Sequence, residues 1–284
     1  MRIDAHQHFW RIADRAGQWP PPDLAAIYRD FAPADLQPLL AAAGIDGTVL
    51  VQTMEREADT AFMLDLAARH DFIKGVVGWT DLKAPDAADA IALLAAAPRL
   101  KGLRPMLQDI AADDWIADPA LHPAVAAMVA HDLAFDALVL PRHLGPLLDF
   151  ATRHPALRIV IDHGAKPPIT EGRITAWRRS MAALAALPNV RCKLSGLLTE
   201  AGGRGSAAVR PYAETLLELF GPQRLIFGSD WPVLRLAGEY AEWVALCRDI
   251  VPGEHHDAVF GANAMSFYRL DDASSAAPPE RRSC

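Results

Sequence analysis

The sequence predicts a single (β/α)8 barrel, regular or distorted, and the alternation of strand-like with helix-like segments is the main reason. Eight short apolar or β-branched runs recur between long Ala- and Leu-rich stretches, as expected for βα units around a parallel sheet. The length of 284 residues fits one barrel of about 250 residues. Two doubly wound domains are the alternative, but no Pro/Gly/Ser-rich linker divides the chain and no glycine-rich phosphate loop follows the first strand.

Each predicted strand is a short apolar or β-branched run, and most predicted helices are Ala- or Leu-rich stretches. The predicted strands cover residues 2–6, 47–52, 73–79, 101–106, 134–140, 158–163, 190–195 and 224–230. The predicted helices cover residues 35–43, 59–70, 84–97, 119–131, 144–154, 175–187 and 209–220. Residues 11–33 are rich in Trp, Pro and Asp and too long for an ordinary connection, so we expect them to form part of the site mouth. We assign residues 1–270 to the barrel and 271–284, rich in Asp, Ser, Ala, Pro and Arg, to a flexible tail.

Composition narrows the class of protein. With 51% hydrophobic and 22% charged residues, the chain can bury a large core, which excludes a disordered or fibrous protein. The net charge of −7 provides no basic field for nucleic acid or for an anionic membrane, so a small molecule is the expected partner. Three cysteines without CxxC spacing, and no apolar leader or long apolar run, favour a cytoplasmic protein without disulfides. A homo-oligomer is compatible with the sequence.

Histidines end the first predicted strand. His6 and His8 are two residues apart, so the period of a strand directs both imidazoles to one side, where they can share a metal ion or a substrate oxygen. The alternative is that both are structural histidines with satisfied hydrogen bonds. Because active sites of these barrels lie at the carboxyl ends of the strands, we favour a functional pair.

Two further strands end in ionisable residues. The eighth stops at Asp230 before a proline, which makes this carboxylate the best single candidate; a turn-forming aspartate is the alternative. The sixth ends in Asp162 and His163. Because neighbouring residues of a strand point to opposite faces, we expect one of them inside the barrel and the other against the helices.

The fourth and seventh strands supply basic residues. Lys101 and Arg104 have opposite parity, so at most one lies inside, where it could hold a carboxylate, a hydroxyl or a developing oxyanion. A surface position is the alternative for both. Lys193 and Ser195 share a face of the seventh strand, but Ser195 lacks a nucleophile-elbow motif.

Tryptophans cluster near the predicted mouth. Trp79 and Trp231 stand at strand ends, and Trp10 and Trp19 belong to the first loop. Such rings stack well on the apolar face of a sugar-like ligand, and core packing explains them equally well.

A series of motifs resembles one known family. The motifs are IDAHQHFW at 3–10, RDF at 29–31, GTVLVQ at 47–52, GVVGW at 75–79, KGLR at 101–104, IDHGAKP at 161–167 and GSDWP at 228–232. In this order they resemble the amidohydrolase superfamily, in the subgroup of sugar-lactone hydrolases that contains L-fuconolactonases and L-rhamnonolactonases. The resemblance covers residues 2 to 270.

The resemblance implies a (β/α)8 barrel that hydrolyses a sugar-acid lactone. It also implies that the site consists of His6, His8, His163 and Asp230. We expect Asp230 to activate water as a general base. The histidines would polarise the carbonyl, either directly or by holding one Zn²⁺ at His6, His8 and Asp230. Substrate-binding roles are expected for Lys101, Arg104, Trp79, Trp231 and Trp19.

The sequence departs from the two-metal members of the superfamily. Those carry a carboxylated lysine or a glutamate after strand four and a histidine after strand five, where this chain has KGLR at 101–104 and LVLP at 138–141. His143 is a weak substitute for the strand-five ligand, so we expect one divalent metal or a metal-independent site.

A zinc-dependent decarboxylase or amide hydrolase on the same barrel, and a non-catalytic small-molecule-binding barrel, are the alternatives. The first loop, GQWPPP at 17–22, also departs from the family, so the sequence does not indicate which sugar acid is the substrate.

Overall fold

Eight parallel strands form one barrel in the computed structural model, which describes residues 1–15 and 17–270. The strands follow one another around the sheet in chain order. They are β1 (Ile3–Gln7), β2 (Gly47–Val51), β3 (Ile73–Gly78), β4 (Leu100–Leu103), β5 (Ala134–Ala137), β6 (Ile159–Ile161), β7 (Val190–Leu194) and β8 (Leu225–Phe227). The predicted fold class is confirmed, and all eight predicted strands are present. The predicted tail, residues 271–284, lies outside the described residues.

Helices cover the outside of the barrel. The described helices are α1 (Pro33–Ala43), α2 (Glu57–Arg69), α3 (Ala87–Ala95), α4 (His122–Ala130), α5 (Leu144–Arg153), α6 (Thr175–Ala185), α7 (Gly205–Phe220), α8 (Tyr240–Ile250) and α9 (Asn263–Tyr268). The seven predicted helices all appear, with α8 and α9 in addition. Within residues 1–15 and 17–270, none of the helices has both the length and the apolar character needed to cross a membrane.

The first and last strands meet through a short contact that also builds the site. Gln7 and Trp231 form an isolated parallel bridge. The His8 amide donates to the Trp231 carbonyl at 2.8 Å, and the Asp230 amide donates to the His6 carbonyl at 2.7 Å. The backbone pairing that closes the barrel therefore places His6 of β1, and His8 just after it, beside Asp230.

The barrel interior is apolar at the amino-terminal end of the strands and polar at the other end. Inward residues such as Ile3, Val49 and Val160 are buried against Phe267 and Tyr268 of α9. This packing closes one end of the barrel with hydrophobic contacts. Burial of apolar surface stabilises the folded state by about 25 cal/mol per Å². The opposite end, where the strands finish, is free to hold a site.

Candidate active site

A cavity of about 700 Å³ opens at the carboxyl ends of the strands. Its inner wall consists of residues that follow β1, β2, β4, β5, β6 and β8, namely His8, Thr53, Arg104, Leu138, His163 and Asp230. Its outer wall includes Gln18, Trp19, Glu55, Arg56, Gln108, Asp109, Lys166 and Glu200. The first loop thus contributes to the mouth through Gln18 and Trp19, as the sequence predicted. This is the position at which barrels of this kind carry their active sites.

Asp230 lies among three imidazoles at the inner end of the cavity. Its Oδ1 atom is 3.1 Å from His8 Nε2, 3.7 Å from His6 Nε2 and 3.8 Å from His163 Nε2. Burial would raise the pKa of this carboxyl, but the neighbouring histidines, His163 foremost, hold it well below its ordinary range. Asp230 is therefore an ionised carboxylate at neutral pH.

His8 has a defined tautomer. Its Nδ1 atom lies 2.7 Å from the Val51 carbonyl oxygen, which can only accept, so Nδ1 carries a proton. In neutral His8 the Nε2 lone pair then faces the Asp230 oxygen at 3.1 Å. Two acceptors at this distance need a cation between them, either a proton or a metal ion. The arrangement is that of a metal ligand whose other ring nitrogen is fixed by a hydrogen bond.

His163 is fixed by the seventh strand. Its Nδ1 atom lies 2.9 Å from the hydroxyl of Ser195, and burial lowers the pKa of the imidazole to about 4, so His163 is neutral at pH 7. The expectation that only one of Asp162 and His163 lies inside is wrong, since both are buried at the mouth. β6 ends at Ile161, and His163 has φ of 53°, so the alternation of a strand does not continue through these residues.

His6 is surrounded by charged groups. Lys193 Nζ lies 3.0 Å from its Nδ1 atom, and Asp162 Oδ1 lies 3.4 Å from the same atom. On the other side of the ring, Arg104 Nη1 lies 3.2 Å from Nε2. Burial, reinforced by Lys193, lowers the pKa of His6 well below its ordinary value, so the ring is neutral.

Lys193 is the centre of a buried ion-pair network inside the barrel. Its side chain is inaccessible to solvent, and its ammonium lies 2.6 Å from Asp136 Oδ2 and 3.0 Å from Asp162 Oδ1. Tyr268 of α9 donates to the same Asp136 oxygen at 2.7 Å. Although burial would raise the pKa of Asp162, Lys193 holds it well below its usual range. Burial raises the pKa of Asp136, and Lys193 opposes that rise.

Arg104 links this network to the cavity. Nη1 donates to Asp162 Oδ2 at 3.1 Å, and Nη2 donates to the Gln52 carbonyl oxygen. Gln52 Nε2 donates in return to the Arg104 carbonyl at 2.7 Å. The side chain is 3% exposed, and it faces the cavity from the end of β4. A fixed guanidinium in this position can stabilise a carbonyl oxygen on which negative charge develops.

The residues present fit a divalent metal. Ligand atoms of His6, His8 and Asp230 all lie within 4.8 Å of one another, and all three side chains are buried. Imidazole and carboxylate are ligands that zinc prefers. The opposed acceptors of His8 and Asp230 give an independent reason to place a cation here. The predicted metal position is thus compatible with the geometry of the site.

Four residues that the sequence offered do not line the cavity. The stem of Lys101, near the start of β4, packs beside Gly75, since a methyl group there would lie 2.8 Å from Lys101 Cγ. Trp79 is absent from the cavity wall. Trp231 is a core residue, with its ring 5.2 Å from that of Phe31. His143 accepts from the Leu140 amide at 3.0 Å and has a local structural role.

Sequence reasoning missed the roles of Asp136, Gln52 and Lys193. A lone carboxylate within the apolar strand 134–137 is a usable signal, because a buried charge requires a partner. Lys193 and Ser195 were correctly placed on one face, but their partners His6 and His163 belong to distant segments. No spacing rule predicts such contacts across a barrel.

The chain belongs to the amidohydrolase family, which it matches over residues 3–270. It is 57% identical over 282 residues to an L-fucono-1,5-lactonase of Burkholderia ambifaria, covering 96% of this chain and 97% of the relative. An L-fucono-1,5-lactonase of Burkholderia multivorans is 37% identical, with 97% and 98% coverage. A crystal structure of a Burkholderia multivorans amidohydrolase with bound zinc has a TM-score of 0.90 and 37% identity, covering 95% of this chain and all of that one.

Proposed function

We propose that this protein hydrolyses the lactone of a sugar acid, with L-fucono-1,5-lactone as the first candidate. The observation that carries the proposal is the ionised Asp230 carboxylate among three buried imidazoles in a cavity that also presents Arg104. The relatives named as L-fucono-1,5-lactonases, which match nearly the whole chain, support the choice of substrate.

In the proposed reaction, water adds to the lactone carbonyl and the ring C–O bond then breaks. Asp230 accepts a proton from the attacking water, while Arg104 and the neutral His163 stabilise the negative charge that develops on the carbonyl oxygen. Asp230 then returns the proton to the departing ring oxygen, which becomes the hydroxyl of the product. The product is the open-chain hydroxy acid.

The low pKa of Asp230 makes it a weak base towards free water, so the attacking water needs further activation. His6, His8 and Asp230 are the residues that would hold a divalent metal ion. When bound, such an ion would supply Lewis acidity, which lowers the pKa of water and polarises a carbonyl. The Val51 carbonyl would keep the His8 ring oriented for this role, because it holds the Nδ1 proton.

We infer that the outer wall of the cavity recognises the sugar hydroxyls. Trp19 offers an aromatic face and Gln18 an amide, and both come from the first loop. On the other side, Lys166 and Glu200 are 3.7 Å apart and both line the cavity. Burial raises the pKa of Glu200. These groups can donate to and accept from several hydroxyls at once, as a polyhydroxylated substrate requires.

A panel of aldonolactones tests the proposal, with hydrolysis followed by proton release. The panel consists of the L-fucono, L-galactono, L-rhamnono, D-arabinono and D-xylono lactones. Each is measured before and after chelation, with the metal content assayed in parallel. We expect turnover of at least one lactone, and loss of activity on chelation that Zn²⁺ restores would place the metal in the reaction. Turnover of carboxylic acids or amides, with no lactone hydrolysed, would overturn the proposal in favour of a decarboxylase or amide hydrolase.

Asp230→Asn tests the role of the carboxylate. The variant keeps the size of the side chain and removes its charge, so we expect kcat to fall at least 10³-fold, within the range of general acid–base catalysis. The folded structure should persist, which circular dichroism would verify. Turnover within a few-fold of the unsubstituted protein would show that Asp230 is not the general base.

A further inference from the structure

Thr53 contributes a hydroxyl to the cavity that the proposed mechanism does not use. β2 ends at Val51, and Thr53 follows shortly after it, in the inner wall of the cavity. The residue is 8% exposed, so its hydroxyl meets little bulk solvent. Buried hydroxyls in proteins have hydrogen-bond partners, and those of Thr53 therefore indicate what the cavity wall can bind at this point.

The Thr53 hydroxyl is an acceptor towards the protein. Arg15 Nη2 lies 2.7 Å from Thr53 Oγ1, and a guanidinium can only donate. Although burial lowers the pKa of Arg15 to about 10, the guanidinium is protonated at neutral pH. The hydroxyl proton therefore needs a different partner, and residues 1–15 and 17–270 provide no acceptor for it within hydrogen-bonding distance. Thr53 thus offers a hydrogen-bond donor to a molecule in the cavity.

Arg15 is held in one orientation by its neighbours. The residue is buried, its Nη1 atom donates to the Trp19 carbonyl at 3.0 Å, and Asp59 Oδ1 lies 3.6 Å from Nη2. The guanidinium also lies 5.1 Å from the centroid of the Trp10 ring. Through its other oxygen, Asp59 accepts from the Thr53 amide at 3.3 Å. The Arg15–Asp59 pair therefore fixes both the backbone and the side chain of Thr53.

The chemistry of this donor fits an uncharged oxygen. Asp59 already faces the charge of Arg15, and Arg15 lies behind the cavity wall and not in it. The group that reaches the cavity is therefore the neutral hydroxyl. The hydroxyl oxygens of a sugar lactone offer several acceptors for such a donor. Trp19, whose carbonyl the same guanidinium holds, also lines the cavity, so one arginine positions two parts of the wall.

We propose that Thr53 is a specificity-determining residue that donates a hydrogen bond to a hydroxyl oxygen of the sugar lactone, and that Arg15 is the positioning residue that directs this donor. The inference rests on the proposed function and adds to it a contact that recognises the hydroxylated part of the substrate. Because this contact is made away from the carbonyl carbon, it binds substrate and transition state equally. Its loss therefore raises KM and leaves kcat unchanged.

Thr53→Val tests the donor, because valine keeps the shape of the side chain and removes the hydroxyl. For the lactone of the panel that is hydrolysed fastest, we expect KM to rise about tenfold and kcat to change by less than about twofold. δ-Valerolactone has a lactone ring without hydroxyls, so its KM, or its inhibition constant as a competitor, should not change. Thr53→Ser keeps the hydroxyl and should retain a KM close to that of the unsubstituted protein.

Thr80→Val is the matched control. Thr80 is also buried and follows the end of a strand, β3, but its hydroxyl donates to Glu57 Oε1 at 3.1 Å and it does not line the cavity. The same substitution there should leave KM and kcat unchanged for both lactones. A rise in KM in both variants would show that any buried threonine has this effect, which would contradict the inference.

A double-mutant cycle tests the positioning role of Arg15. Arg15→Met should raise KM for the sugar lactone, because the Thr53 hydroxyl can then turn its proton away from the substrate. Thr53→Val should add less in the Arg15→Met background than in the unsubstituted protein, since the two residues act through one contact. Purely additive effects would remove the positioning role from Arg15.

An unchanged KM in folded Thr53→Val would overturn the inference. A fall in kcat, or an equal loss with δ-valerolactone, would also overturn it, because the hydroxyl would then act on the ester group that both lactones share. Circular dichroism verifies folding, and if Thr53→Val does not fold, Thr53→Cys, with its weaker donor, decides by the same criteria.

Failure of the proposed function gives a different result. If the unsubstituted protein hydrolyses no lactone, that function is refuted, and calorimetric binding of L-fucono-1,5-lactone then decides the role of Thr53. Weaker binding to Thr53→Val than to the unsubstituted protein supports the inference. Equal binding, or no binding to either protein, refutes it.

Discussion

Gly196→Ala should displace His163 without removing any functional group. Gly196 has φ of +63°, and a Cβ atom there would lie 2.4 Å from His163 Nδ1 and 2.6 Å from Cγ. Ordinary contact needs about 3.5 Å, so the ring has to shift by roughly 1 Å. A misplacement of about 1 Å in a catalytic group costs roughly 10²-fold in rate. We therefore expect kcat/KM to fall about 100-fold, or about 2.7 kcal/mol.

Gly172→Ala is the matched control for backbone strain. Gly172 has φ of +66°, almost the value of Gly196, but a Cβ atom there would meet no atom within 4 Å. Alanine in this left-handed conformation costs about 1–2 kcal/mol at either position. Gly172→Ala should therefore lose this much free energy of unfolding while its kcat/KM stays unchanged.

Lactone hydrolysis and urea unfolding, measured on the same preparations, distinguish the two effects. If folded Gly196→Ala hydrolyses lactone within threefold of the unsubstituted rate, His163 does not need its present position and its assignment fails. If Gly172→Ala loses as much activity as Gly196→Ala, the loss comes from backbone strain, and the reasoning from the His163 contact is wrong.

Other changes test the network and the protonation of the site. Lys193→Met leaves buried carboxylates unpaired and should cost about 3–5 kcal/mol of unfolding free energy, while Lys193→Met/Asp136→Asn should recover part of it, as urea unfolding would show. The cost should be smaller at pH 5 than at pH 7, because an unpaired buried Asp136 binds a proton more tightly folded than unfolded, so stability falls as pH rises. Ser195→Ala removes the partner of His163 and should lower kcat about tenfold with little change in KM; an unchanged kcat would exclude this positioning role. In the unsubstituted protein, kcat/KM should be level from pH 7 to about 5 and fall near pH 4 as His163 gains a proton and neutralises Asp230; a flat profile through pH 4 would contradict this.

The fold was predictable because repeated patterns determine it. Every predicted strand and helix is present; the differences are the two further helices, α8 and α9, and the ends of several elements. Residues 134–140 were predicted as one strand, whereas β5 ends at Ala137 and Leu138 lines the cavity. Apolar residues continue past the last ladder hydrogen bond because the mouth of the barrel is itself buried. Hydrophobicity therefore marks burial there and does not mark the end of a strand.

Strand periodicity predicted part of the site and failed where the backbone leaves the strand conformation. His6 and His8 share a side of β1 and come within reach of Asp230, as their spacing predicted. At the end of β6 the same rule gave the wrong result, because His163 adopts a left-handed conformation. A φ of 53° in a non-glycine residue costs roughly 1 kcal/mol or more, and neighbouring contacts must maintain it. The His163 side chain contacts Ser195 and lies against Gly196, which are more than thirty residues away.

The network around Lys193 is explained by its contacts with the site and not by a contribution to the stability of the fold. A buried ion pair gains little over well-packed apolar residues, because desolvation offsets the attraction. The amino-terminal half of this barrel shows the apolar solution, with Ile3, Val49 and Val160 packed under α9. Between this apolar layer and the site, Lys193 instead lies between Asp136 and His6, while Tyr268 of α9 donates to Asp136. Apolar replacements would remove the Lys193 contact from His6 Nδ1 and leave only Arg104 beside Nε2, so we infer that the network persists because it orients the catalytic end of β1.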